Sequence, residues 1–317
     1  MIDPADAAIK LDQLKAEIVK PFIGSAEPVD LLLTGFLAGL GVLIEDIPGV
    51  GKTTLARSLA RACALDFGRI QFTPDLMPGD ITGMSIWSQE ARDFVFKPGA
   101  IMHSFVLADE INRASARTQS ALLEAMQEGA VTVDGTTHTL PQPFFLVATQ
   151  NPLAFVGTFP LPEAQLGLFG LSMHIGYPQR DHELAINRLA LSDDVFARIE
   201  PVLAAEDIIQ LRALCKAVKV DEKIHGYIVD LATQTRREGL LRAGISPRAG
   251  QHLLRAAQAR ALMTGRTYVL PEDVRSLAVP VLAHRLSASS EARMSQRTEK
   301  EILSGILERQ SLPSGVS

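Results

Sequence analysis

The chain is poor in cysteine and tryptophan: two of the first and one of the second in 317 residues. Cys63 and Cys215 lie far apart and no CxxC pair occurs. That spacing excludes a zinc ribbon and a redox dithiol, and argues against a disulfide-stapled scaffold. Both thiols fall on apolar helical faces and read as core residues of a protein from a reducing compartment. The seven histidines make no HExxH or other ligand spacing. Positive charge is not in excess: 31 Lys and Arg stand against 36 Asp and Glu, a net charge of −5. This argues against a protein that grips nucleic acid over a broad basic face. Long apolar runs are missing too. The longest, Leu31 to Ile44, is shorter than the roughly 20 residues of a membrane span, and three glycines interrupt it. Met1–Lys20 has acids and bases at regular intervals and no apolar block, unlike a secretory signal. The expectation is a cytoplasmic protein without membrane insertion.

What is present is globular composition, 47% hydrophobic and 21% charged, in a length that suits about two domains. Residues 9–19 and 29–39 have helical spacing. Val42-Leu43-Ile44 is a short apolar run that ends in Pro48-Gly49, and helical spacing resumes from Thr53. Strand, glycine loop and helix follow in that order. Further strand-like runs at Ile70–Phe72, Phe105–Ala108 and Phe145–Ala148 are apolar throughout, as buried parallel strands are. Ser115–Gln127 reads as a helix closed by Gly129. VTVDGTTHTL at 131–140 alternates around Asp134-Gly135, a hairpin signal. Residues 80–100 read as an insertion with a small hairpin, within which Trp87 is expected to pack. After Tyr177-Pro178 the pattern turns almost wholly helical. We expect a mixed strand-and-helix domain over 1–178, a helical domain over 179–310 and a disordered tail over 311–317. No internal repeat or low-complexity block occurs.

The strongest motif is Asp46-Ile47-Pro48-Gly49-Val50-Gly51-Lys52-Thr53. Successive backbone N–H groups of such a loop form an anion nest, and the next helix adds its positive end. Pro48, Gly49, Val50, Gly51, Lys52, Thr53 and Thr54 are the expected ATP-binding residues. Lys52 reaches the β- and γ-phosphates, and Thr53 holds Mg²⁺. The usual pattern has glycine where this chain has Asp46. A second motif is the apolar strand Phe105–Ala108 ending in Asp109 and Glu110. The first acid suits Mg²⁺ and the second suits the attacking water, because phosphoryl transfer needs positioning and charge compensation. Gly39-Leu40-Gly41 precedes the strand and lacks a third glycine, so it makes no dinucleotide fingerprint.

These residues resemble the MoxR family of AAA+ ATPases over about residues 10–290. The likeness rests on IEDIPGVGKTTLA at 44–56, PDLMPGDITG at 74–83, LADEINRASARTQSALLEAMQEGAVTVDG at 107–135, ATQNPLAFVGTFPLPEAQL at 148–166 and SPRAG at 246–250. It implies an α/β fold, a P-loop NTPase core with a parallel sheet in an αβα sandwich, followed by a C-terminal all-helical lid. It implies a homo-oligomeric ring, commonly a hexamer, that hydrolyses ATP with Mg²⁺ and acts as a chaperone. Its partner would be a protein client, often one with a von Willebrand factor A domain. By the same resemblance, Asn151 is sensor 1, which orients the attacking water. Arg248 is sensor 2, reaching from the lid to the γ-phosphate. Glu110, Lys52, Asn151 and Arg248 then form the catalytic set, with Thr53 and Asp109 at the metal.

One departure bears on activity. After PLPEAQL the family has Asp-Arg-Phe, whose arginine enters the neighbouring subunit's site. Here Gly167 and Leu168 stand before Phe169. An arginine finger is worth roughly a thousand- to a hundred-thousandfold in rate, and leucine cannot offset transition-state charge. Three outcomes stay open: another arginine in trans, with Arg113 and Arg117 as candidates; a mixed ring in which a paralogue supplies the finger; or an ATP-binding assembly switch with weak hydrolysis. DNA remodelling is a further reading, disfavoured by the acidic balance and the lack of a helix-turn-helix.

Overall fold

We describe residues 2–152, 158–189 and 194–315 of a computed structural model. Part of the 148–166 motif and the last two residues of the expected tail lie outside them. The chain opens with α1 (Pro4–Ile18), capped by the Asp3 carboxylate, and α2 (Ala26–Ala38). β1 (Val42–Glu45) leads through the phosphate loop into α3 (Lys52–Ala62) and then β2 (Phe67–Gln71). A short α4 (Pro78–Thr82) precedes the antiparallel hairpin of β3 (Gly83–Ser88) and β4 (Asp93–Pro98). β5 (Phe105–Asp109) is followed by α5 (Ala116–Glu128), which Ser115 caps. A second hairpin joins β6 (Ala130–Val133) to β7 (Thr136–Thr139). Next come β8 (Phe145–Gln150), α6 (Glu163–Leu166) and β9 (Leu171–Met173). The remainder is mainly helical: α7 (Arg180–Leu189), α8 (Ala205–Ala217), α9 (Glu222–Arg237), α10 (Pro247–Met263), α11 (Pro271–Leu282), α12 (Ser290–Met294) and α13 (Glu299–Arg309). A two-strand ribbon, β10 (Leu241–Ala243) with β11 (Ser287–Ala288), interrupts the helices. No described helix is long and apolar enough to cross a membrane.

Five strands form one parallel sheet in the order β2-β5-β8-β1-β9. Their side chains alternate between its two faces. Val42, Ile44, Phe105, Leu107, Phe145 and Val147 join one apolar core, and Leu43, Val106, Ala108, Leu146 and Ala148 join another. Both faces are covered, which explains why the strands read as continuous apolar runs. β9 breaks that pattern: it is three residues long, and Ser172 at its centre donates to Glu45 on β1 at 2.5 Å.

The first core runs on into the C-terminal helices without a gap, through Leu211, Leu231, Leu253 and Leu277. Phe36 packs edge-on against Phe145, and Phe145 against Phe105, at 5.1 and 5.3 Å. Each such buried ring contributes on the order of 2–3 kcal/mol by transfer from water. Arg212 of α8 reaches this stack, donating to the carbonyls of Phe36 at 3.1 Å and Phe144 at 3.2 Å. Burial pushes its pKa down to about 10. A buried guanidinium is tolerated when its donors are satisfied, and here they tie α8 to the end of α2 and to the residue before β8. Cys63 and Cys215 are buried free thiols.

The β3–β4 hairpin forms within residues 80–100, and Trp87 packs inside it, as expected from the sequence. Trp87 stacks edge-on with Phe94 at 5.4 Å, yet the two are 55% and 64% exposed. A two-stranded ribbon has no second layer to cover its outer face. Further along the same face, Phe96 stacks on His138 of the second hairpin at 3.7 Å and anchors the ribbon.

Candidate nucleotide site

β1 and β5 both neighbour β8, so their C-terminal ends bring the phosphate loop, Asp109, Glu110 and Asn151 to one edge of the sheet. Ligands of open parallel sheets bind at this edge. The loop turns through Gly49 and Gly51, with φ of +89° and +93°. A side chain resists that conformation, and it aims backbone N–H groups inward. Gly51 is the N-cap of α3, and Lys52 is its first residue. Lys52 is buried, and its ammonium donates to the Asp46 carbonyl at 2.6 Å. Burial pulls its pKa below the ordinary value; the charges of Asp46, Asp109 and Glu110 oppose that. Thr53 and Thr54, on the first turn, are half-buried, while Pro48 and Gly49 are exposed and Val50 half-buried.

Asp109 is buried at the end of β5. The Thr149 hydroxyl donates to its Oδ1 at 2.6 Å, and Arg69 donates to Oδ2 through Nη2 at 2.6 Å and Nε at 3.2 Å. Glu110 has left-handed backbone angles, φ 57° and ψ 50°, unusual for a residue with a side chain. Its amide donates to the Thr149 hydroxyl at 2.8 Å, which fixes the turn. Its Oε2 accepts from Arg113 at 2.8 Å. The Asn151 carbonyl accepts from the Asn112 side chain at 3.0 Å. Thr149, Arg69 and Arg113 thus join the acids directly, and sequence spacing did not find the first two.

A cleft of about 310 Å³ opens beside the loop. Gly49, Val50, Gly51 and Thr54 form its floor, and Phe22, Ile23, Tyr177 and Pro178 give it apolar walls. Its size and its apolar lining suit a small planar ligand. The wall residues come from the turn after α1 and the segment after β9, and carry no motif of their own.

Arg248 follows Pro247 on the first turn of α10, capped by Ser246. It lies elsewhere: with Leu168, His252 and Arg255 it lines a second cleft of about 220 Å³. A third surface brings Arg248 together with Gly167, Leu168 and Arg285. Phe169 is fully buried and holds the Leu168 turn in register. Its carbonyl accepts from Arg285 and faces His284 Nε2 at 3.1 Å. Burial, with Arg285 beside them, pushes His252 and His284 down to about 3. Burial also pushes Arg285 down to about 10, with Arg248 adding to the shift.

Among the described residues, no cluster of three or more His, Cys, Asp or Glu is placed to hold a metal ion. The oxygen donors of Thr53 and Asp109 still suit a hard cation that keeps several waters, as Mg²⁺ does.

Comparison with known proteins agrees with this geometry. The model of the ATPase family associated with various cellular activities (AAA) matches residues 41–171, and that of the AAA lid domain matches residues 233–306. A Bacillus subtilis protein, the uncharacterized protein YeaC, is 45% identical over 91% of this chain and 92% of its own. Chaperone MoxR1 of Mycobacterium tuberculosis is 36% identical over 96% of this chain and 82% of its own. A solved structure from Cytophaga hutchinsonii, assigned as an ATPase, is 35% identical, covers 97% of this chain and 96% of that one, and superposes with a TM-score of 0.90.

Proposed function

The chain belongs to the MoxR family of AAA+ ATPases, and we propose that it is an ATP-driven chaperone that assembles or activates a protein client. It is an ATP hydrolase by that membership. The observation that supports this reading best is the position of Lys52, buried at the sheet edge within the field of Asp46, Asp109 and Glu110. A cation placed there serves a polyphosphate.

In this reading the base of ATP enters the cleft between Phe22 and Tyr177, and its phosphates meet the loop N–H groups from Pro48 to Thr54. Lys52 reaches the β- and γ-phosphates. Thr53 and Asp109 would hold Mg²⁺, which when bound offsets phosphate charge. Glu110 orients and polarises the attacking water from the left-handed turn that follows β5. Asn151 helps place that water. The lid passes the change of state to the client.

The working form is a ring, in the family's common form a hexamer, of this chain alone or mixed with a paralogue. The client carries a von Willebrand factor A domain in the simplest version, and the setting is the cytoplasm. Nucleic acid is not part of the proposal. A second reading, an assembly switch with slow hydrolysis, is favoured by Leu168. Arg248, beside Leu168, then joins Arg117 as an arginine available to a neighbouring subunit's nucleotide, and Arg113 would serve there only by leaving Glu110. The direct test is ATP binding and phosphate release by the wild type and Lys52→Ala. Loss of both in Lys52→Ala supports the reading; ATP binding that survives unchanged refutes it.

A further inference from the structure

Asp46 departs from the glycine usual at the start of a phosphate loop, and it is 7% exposed. Its carboxylate bridges the first amide of the loop and the segment after β9. Oδ2 accepts from the amides of Ile175 and Gly176, each at 2.7 Å, and Oδ1 accepts from the Ile47 amide at 2.9 Å. Gly176 has φ +74°, which lets two consecutive N–H groups converge on one oxygen as an anion nest. Ile175 and Gly176 follow β9 after His174 and lead through Tyr177-Pro178 toward α7. They also line the cleft beside the phosphate loop. At the other end of the same residue, the Asp46 carbonyl accepts the Lys52 ammonium at 2.6 Å. One residue therefore joins the phosphate-binding lysine to the strand-to-lid hinge.

We propose that Asp46 is the positioning residue that couples the phosphate loop to the hinge at Ile175-Gly176, so that nucleotide at Lys52 sets the path into the lid. This rests on the ATP-binding reading above. A polyphosphate that draws Lys52 forward pulls on the Asp46 carbonyl, and the side chain of the same residue carries that displacement to the hinge amides. A glycine at this position would form the loop and leave the hinge free.

Hydrogen exchange of the full-length protein, with and without MgATP, tests this at the amides of Ile175 and Gly176. In the wild type both amides are protected, and MgATP changes their protection. In Asp46→Asn, either orientation of the amide sets its NH₂ against a backbone donor, so protection falls roughly tenfold or more. In Asp46→Gly the loop regains the common pattern; its ATP affinity is measured alongside, and at saturating MgATP the hinge no longer responds. Gly176→Ala strains the nest without touching Asp46, since an added Cβ meets nothing within 4 Å, and weakens the response in the same direction. Melting temperatures identify any variant that has merely lost stability. A hinge response to MgATP that persists in Asp46→Gly and Asp46→Asn overturns the coupling. Failure of the wild type to bind ATP overturns the functional reading instead, and the apo protection of the two amides still reports whether the tie exists.

Discussion

Arg69 on β2 grips Oδ2 of Asp109 on β5 at two points, 2.6 and 3.2 Å. Strand pairing sets this up, because Gln71 lies opposite Asp109 and Arg69 two residues earlier points to the same face. The guanidinium competes with any cation that Asp109 serves. Arg69 is half exposed, so solvent weakens the pair. In Arg69→Ala, the Mg²⁺ concentration for half-maximal ATP hydrolysis should fall about threefold. A magnesium titration of phosphate release checks this, and a rise would mean that Arg69 supports the metal.

Glu110 and Lys52 should separate chemistry from binding. Glu110→Gln keeps size and hydrogen bonding but removes the charge that polarises water, and should cost about a hundredfold or more in turnover with ATP affinity little changed. Lys52→Ala should lose affinity first. Equilibrium binding beside single-turnover hydrolysis distinguishes the two patterns.

Leu168 marks the missing arginine. If the ring lacks that charge, Leu168→Arg should raise turnover at least tenfold, within the range known for such fingers. Leu168 is half-buried at a surface shared with Arg248 and Arg285, so the new side chain can extend outward. Unchanged turnover, with Arg248→Ala abolishing it, would assign the role to Arg248.

His252 and His284 make stability depend on pH. Their folded pKa values are pushed down to about 3, below the unfolded value of about 6.5. Between those limits the unfolded chain binds more protons, so stability is highest above pH 6.5 and declines as pH falls toward 3. The cost between pH 6.5 and 5 is at most about 2 kcal/mol for each histidine. Denaturant unfolding at pH 7 and pH 5 measures it, and His252→Leu with His284→Leu should flatten the slope.

The sequence reveals the elements whose physics is local. The phosphate loop is legible because glycine and lysine occupy fixed offsets between an apolar strand and a helix. Ser115, Ser246 and the Asp134-Gly135 turn are legible because caps and tight turns need particular residues. β9 is not, since a polar serine at the centre of three residues hides it. Thr149, Arg69 and the cleft walls at Phe22 and Tyr177 escape as well, because each meets the site through the fold and not through spacing. Asp46 reads as a departure at the sequence level, and only its contacts with Ile175 and Gly176 show what the carboxylate holds.

The most direct test of the account is phosphate release from MgATP by the wild type and Glu110→Gln, followed across a wide range of protein concentration. We predict that both bind ATP and that the wild type alone turns over, slowly, with a rate per subunit that climbs with concentration as shared sites assemble. Equal release by the two proteins, or no ATP binding by the wild type, would contradict the account.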